Sequence, residues 1–192
     1  MQKILVVDHY DSFVYNVIRM LEESGNCEAH KVFSDELDIS TLHHYQGLVL
    51  SPGPGLPAEA KGFTRCLKHA SETHKILGIC LGHQAILEFF GGQIEKMPVI
   101  RHGHKAQLHL ADPGNTLLKD VPQHCMVGLY NSWTASKNYI PDCLGISATD
   151  SEGNIMAVYH KTLQIFGIQF HPESVVSGCG HALFRNFLAI GE

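Results

Sequence analysis

An α/β fold, with a mostly parallel central sheet flanked by helices on both faces and a small antiparallel extension, is what this 192-residue sequence predicts. Three observations carry the expectation. Short continuous apolar runs, each followed by a helix-compatible stretch, recur through the first half, as in strands buried on both faces. From about residue 104 they give way to shorter alternating pieces between Pro- and Gly-containing turns. The length suffices for one well-buried core and is short for two, so residues 1–192 read as a single domain.

The first run contains Ile4 and Val6 and ends at Asp8. Asp11-Ser12 then offers an N-cap to a helix in which Phe13, Val14, Val17, Ile18 and Leu21 recur at helical spacing, and Gly25 is placed to end it. A second run, Gly47 to Ser51, is closed by Pro52-Gly53-Pro54-Gly55, and a third is Lys75 to Ile79. Ala106 to Ala111, Met126 to Leu129 and Ile155 to His160 are the pieces expected in the antiparallel extension. Gln164 to Phe170 returns to buried-strand character, and Leu183, Phe184, Phe187 and Leu188 mark a closing amphipathic helix.

Composition narrows the function. Hydrophobic residues at 44% and charged residues at 17% describe an ordinary globular chain. No apolar run approaches a bilayer span, and the start lacks a signal peptide's basic head and cleavage site, so a cytoplasmic location without membrane contact is expected. A net charge of −5 with no basic cluster argues against nucleic acid. The cysteines at 27, 66, 80, 125, 143 and 179 form no C-x-x-C pair and read as reduced thiols. His102-x-His104 could share one strand face, but spacing marks no third ligand, and no metal or other cofactor is expected.

The chemistry concentrates in Gly78-Ile79-Cys80-Leu81-Gly82-His83-Gln84, where one cysteine stands between two glycines at a strand-to-helix junction. Glycines tolerate the strained backbone and close neighbours of a sharp turn, and the following helix N-terminus favours a thiolate. A nucleophilic thiol needs a base oriented by a third group. Phe170-His171-Pro172-Glu173-Ser174 supplies candidates for both where Pro172 stops a strand, although Asn or Asp would orient a histidine equally well.

Together with Ser51-Pro52-Gly53-Pro54-Gly55, these motifs occur in the order found in class I, or triad, glutamine amidotransferases, which the chain resembles from Asp8-x-x-Asp11-Ser12-Phe13 and Asn16 to Gly180-His181 and Asn186-Phe187. The resemblance implies that Cys80 attacks the side-chain amide of L-glutamine, with His171 as base and then acid and Glu173 orienting it. It implies an oxyanion hole from the backbone N–H groups of Gly53 and Leu81. The amino-acid end of glutamine would be gripped by Gly53, Pro54, Gly55, Gln84, Ser132 and Trp133.

No further domain is expected after Glu192, so the resemblance also implies a partner, a chorismate-binding synthase subunit that receives ammonia. The start and the proline-bearing loop look like the small subunits of anthranilate synthase and of aminodeoxychorismate (para-aminobenzoate) synthase. The Gly180-His181 ending and the Asn131 segment lean slightly to the second. Leu129-Tyr130-Asn131-Ser132 stands where that pattern usually reads Arg-Tyr-His-Ser, and His102-Gly103-His104-Lys105 where His-Gly-Lys is common. Both departures bear on glutamine affinity and on contact with the partner. Two other classes compete: a non-catalytic docking subunit, disfavoured by the intact Cys80, His171 and Glu173, and a stand-alone cysteine hydrolase.

Overall fold

The structure is a computed structural model that describes residues 1–112 and 115–191. Strands β1 (Gln2–Asp8), β2 (Cys27–Phe33), β3 (Gly47–Leu50) and β4 (Lys75–Ile79) alternate with helices α1 (Val14–Ser24), α2 (Lys61–Ala70) and α3 (Leu81–Phe89). Short strands follow: β5 (Ile94–Lys96), β6 (His104–Gln107), β7 (His109–Leu110), β8 (Met126–Leu129) and β9 (Trp133–Ala135). Then come β10 (Leu144–Thr149), β11 (Ile155–His160), β12 (Ile165–Ile168) and the closing helix α4 (Gly180–Ala189).

Eight strands form one sheet in the order β2-β1-β3-β4-β12-β11-β10-β7. The first five are parallel, and β11, β10 and β7 continue the sheet antiparallel, as expected. The pairs β5–β9 and β6–β8 stand apart as two small antiparallel ribbons.

Alternation within the parallel strands explains both layers. Ile4, Val6, Val49, Leu77 and Ile79 face α1 and α4, whereas Leu5, Val7, Leu48, Leu50 and Ile76 face α2 and α3. Because both sets are buried, these strands carry unbroken apolar runs. Strand order reverses between β1 and β3, and ligands of such sheets gather in the crevice beyond the carboxyl ends there. No described helix is long and apolar enough to cross a membrane.

Two expectations need correction. Helix α1 begins after Phe13, whose side chain makes no capping bond, so Asp11-Ser12 is not its N-cap. The Asp11 carboxylate instead accepts from the Phe13 amide and lies close enough to Glu173 to feel its charge. The chain also holds a strand that no apolar run announces. β2 is the sheet edge and is mostly half-buried, so Glu28, His30 and Lys31 interrupt it freely.

Candidate active site

β4 ends and α3 begins at Cys80, which holds φ 50° and ψ −97°. The amide N–H of Cys80 donates to the Ile168 carbonyl at 2.8 Å, tying the turn to β12. The flanking glycines serve close packing rather than unusual dihedrals. A Cβ on Gly82 would collide with the Leu50 carbonyl oxygen, and one on Gly78 with the Gly82 carbonyl group. Glycine therefore lets α3 sit directly on β3 and β4, while Cys80 itself carries the strain.

Directly after β12, His171 and Glu173 are both buried, and His171 Nδ1 lies 2.7 Å from Glu173 Oε1. The other ring nitrogen, Nε2, is buried with no hydrogen-bond partner of its own, which leaves it for the Cys80 thiol. Burial works against a charged imidazole, but Cys80 and Glu173 outweigh it and raise the His171 pKa to about 10. The site thus favours imidazolium, the partner a cysteine thiolate needs. His83, in the first turn of α3 and fully buried against Gly167 of β12, is driven the opposite way by burial, to about 3, and stays neutral.

In front of Cys80 opens a cavity of about 300 Å³ lined by Gly53, Pro54, Gly55, Leu81, Gln84, Ser132 and Trp133, with Leu56, Tyr130 and Asn131. Every residue that the resemblance assigned to the oxyanion hole or to glutamine lines this one cavity with Cys80. Gly53 is required locally by the protein itself, since a Cβ there would lie 2.6 Å from the His9 carbonyl oxygen. That contact sets the Ser51–Gly55 loop beside the start of α3, where helix geometry leaves the Leu81 N–H without an intrahelical acceptor. The Gln84 amide nitrogen is spent on Trp133 O at 3.0 Å and Gln169 Oε1 at 3.2 Å, so only its oxygen is left for a ligand.

The sequence reading named Tyr130 and Asn131 only as part of a departure from the family's pattern and gave neither a role in the site. The Tyr130 ring stands edge-on to His171 at 5.0 Å between centroids, and its hydroxyl lies 3.2 Å from Ser174 Oγ. Asn131 Nδ2 donates to Trp133 O at 2.9 Å, and bracing that wall is its role in the fold. Leu129 is fully buried in β8. Of the other cysteines, Cys27, Cys66 and Cys179 are buried and Cys125 and Cys143 half-buried, all free. His102 packs edge-on against Tyr130, and among the described residues no three His, Cys, Asp or Glu side chains are grouped to hold a metal.

Comparison with known proteins bears on the family and the fold. The family model described as glutamine amidotransferase class-I matches residues 5–190. Anthranilate synthase component 2 of Pseudomonas putida is 37% identical over 192 residues, covering 96% of each chain. Aminodeoxychorismate/anthranilate synthase component 2 of Bacillus subtilis is 34% identical over 187 residues, covering 96% of this chain and 95% of the relative. Among solved structures, a candidate GMP synthase subunit from Thermoplasma acidophilum superposes with a TM-score of 0.87 at 29% identity, covering 98% of this chain and 92% of the other.

Proposed function

The chain belongs to the class-I glutamine amidotransferase family, and on that footing we propose that Cys80, His171 and Glu173 are its triad and that the cavity before Cys80 binds L-glutamine. The Cys80 thiolate attacks the amide carbon of the glutamine side chain. The amide oxygen becomes an oxyanion, held by the N–H groups of Gly53 and Leu81. His171, protonated when the thiolate forms, gives its Nε2 proton to the departing nitrogen, and ammonia leaves with a γ-glutamyl thioester behind. His171 then takes a proton from water, hydroxide adds to the thioester carbon, and glutamate departs as the thiolate re-forms.

One observation carries the assignment: a cysteine strained to φ 50° at the mouth of a cavity, backed by a buried histidine whose far nitrogen is held 2.7 Å from a carboxylate. A packing cysteine has no need of such a backbone.

The ammonia acceptor follows from the relatives. Their names weigh towards anthranilate synthesis and against the slight lean to aminodeoxychorismate, so the proposed partner is a chorismate-binding component I of anthranilate synthase. The Bacillus subtilis relative, named for both reactions, supports a second reading in which one subunit serves both. Mixing the full chain with component I of each synthase from its own organism, glutamine and chorismate tests this. Anthranilate alone is expected, anthranilate and aminodeoxychorismate together would favour the shared reading, and neither product would overturn the chorismate assignment. With Cys80→Ala, product should form from added ammonia but not from glutamine, and survival of the glutamine reaction would remove Cys80 as nucleophile.

A further inference from the structure

Gln169 lies between β12 and His171 and has no part in the mechanism above, yet its amide is fully buried. Burying an amide is costly unless its polar atoms are paired, and both of these are. Its Oε1 accepts from Gln84 Nε2 at 3.2 Å, and its Nε2 donates to Cys80 Sγ at 3.6 Å.

Which way each amide points is dictated by its partners. The Trp133 carbonyl can only accept, so Gln84 must turn its nitrogen toward it, at 3.0 Å. That nitrogen can only donate, so Gln169 must offer it an oxygen, and the Gln169 nitrogen is left facing the sulfur. The backbone holds this arrangement from both sides. Gln169 N–H donates to Met156 O at 2.9 Å, and Cys80 N–H donates to Ile168 O at 2.8 Å. A directed chain therefore runs from the Trp133 carbonyl behind the cavity wall, through two glutamines, to the thiol.

We propose that Gln169 is a second side-chain contact of the nucleophile beside His171, an amide donor that stabilises the Cys80 thiolate and, through Gln84, keeps the sulfur in register with the Trp133 wall of the cavity. The proposal rests on Cys80 being the nucleophile. A thiol is a weak acceptor, whereas a thiolate takes a charge-assisted bond, so the contact strengthens as the proton leaves. A neutral amide does not compete for that proton, which remains free to travel on His171. The same donor steadies the sulfur when it departs as thiolate in thioester hydrolysis.

The test compares the full-length wild type with Gln169→Leu, which removes both ends of the amide, and Gln169→Glu, which keeps its shape but sets a carboxylate against the sulfur. Cys80 alkylation by iodoacetamide is followed by mass spectrometry across pH, beside thermal melting and glutamine turnover with component I. The alkylation midpoint is expected to move to higher pH by about one unit in Gln169→Leu and further in Gln169→Glu, with kcat lower by about tenfold. A lowered Tm with an unmoved midpoint in both variants would mean a packing role and would overturn the contact. Should alkylation of Cys80 leave turnover intact, the nucleophile assignment itself falls and the proposal with it.

Discussion

Cys80 adopts a backbone conformation that costs a non-glycine residue about 1–3 kcal/mol. This reverses the usual order of two substitutions. In ordinary structure glycine is the less stable replacement, but here Cys80→Gly should be more stable than Cys80→Ala by about 1 kcal/mol, both lacking glutamine turnover. Denaturant midpoints check it, and an alanine variant equal to or above the glycine one would mean that the turn stores no strain. Asp11 offers a pH test. Burial first, then the nearby charge of Glu173, pushes its carboxyl from 3.8 up to about 6. An acid whose pKa is raised on folding opposes folding once ionised, so stability should fall as pH rises through that window. Asp11→Asn should therefore be the more stable protein at pH 7, by about 1 kcal/mol once its partly exposed side is allowed for, and the gain should vanish below about pH 4. Equal melting temperatures at pH 7 would count against the buried carboxyl. Cys80, His171 and Glu173 were legible in the sequence because glycines and a proline punctuate them. Asp11 and Gln169 were not, since one reads as a helix cap and the other as a polar interruption of a strand, and only the fold brings each to the proposed triad.

Helix α3 is effective because nothing separates it from the sheet. Gly82→Ala would drive a methyl group into the Leu50 carbonyl oxygen, and relieving that clash must lift α3 from β3 and carry Cys80 with it. Overpacking of this kind costs about 1–3 kcal/mol. The expected outcome is a lower Tm together with slower alkylation of Cys80, and a variant that melts like wild type would show that the helix has room to spare. The buried strands of the parallel half, β1, β3, β4 and β12, were readable because burial on both faces writes a continuous apolar run. β2 was not, because an edge strand with half-buried side chains writes no such run. The start of α1 lies one to two residues beyond the expected Asp11-Ser12 cap for a related reason. A side chain able to cap was present, but the Asp11 carboxylate accepts from the Phe13 amide in the turn before the helix and lies within the electrostatic reach of Glu173 and His171.

At the scale of the molecule, the antiparallel half was legible as a class of structure while its purpose was not, because that purpose is long-range. The turn between β10 and β11 holds Asp150, whose carboxylate accepts from the Glu152 and Asn154 backbone amides. Arg101 reaches it from the segment after β5, with Nη1 2.7 Å from Asp150 Oδ2 and Nη2 2.5 Å from Glu152 Oε2. The Arg101 backbone N–H donates to Asn131 O at 3.0 Å, and that of Met97 to Ser132 O at 2.9 Å. The ion pair thereby braces the segment between β8 and β9 that forms the far wall of the cavity, without touching the thiol. Removing one member of a buried pair strands the other, at a cost of about 3–5 kcal/mol. Arg101→Met should thus lower stability at neutral pH and raise the KM for glutamine several-fold, with the pH midpoint of Cys80 alkylation unmoved. Burial alone would raise the Asp150 pKa, but bonds from Arg101 and Asn154 overcome it and hold the carboxylate below 3.8. A lowered acid pKa stabilises the fold above the unfolded value and loses that contribution as pH falls through the folded one. The stability gap between wild type and Arg101→Met should accordingly narrow on acidification from pH 7 to below pH 4. A KM that stays put while Tm falls would confine Arg101 to holding the extension together. A KM that rises with the thiol untouched would place the extension's function in the wall of the proposed glutamine cavity, separate from the parallel half that holds the proposed nucleophile.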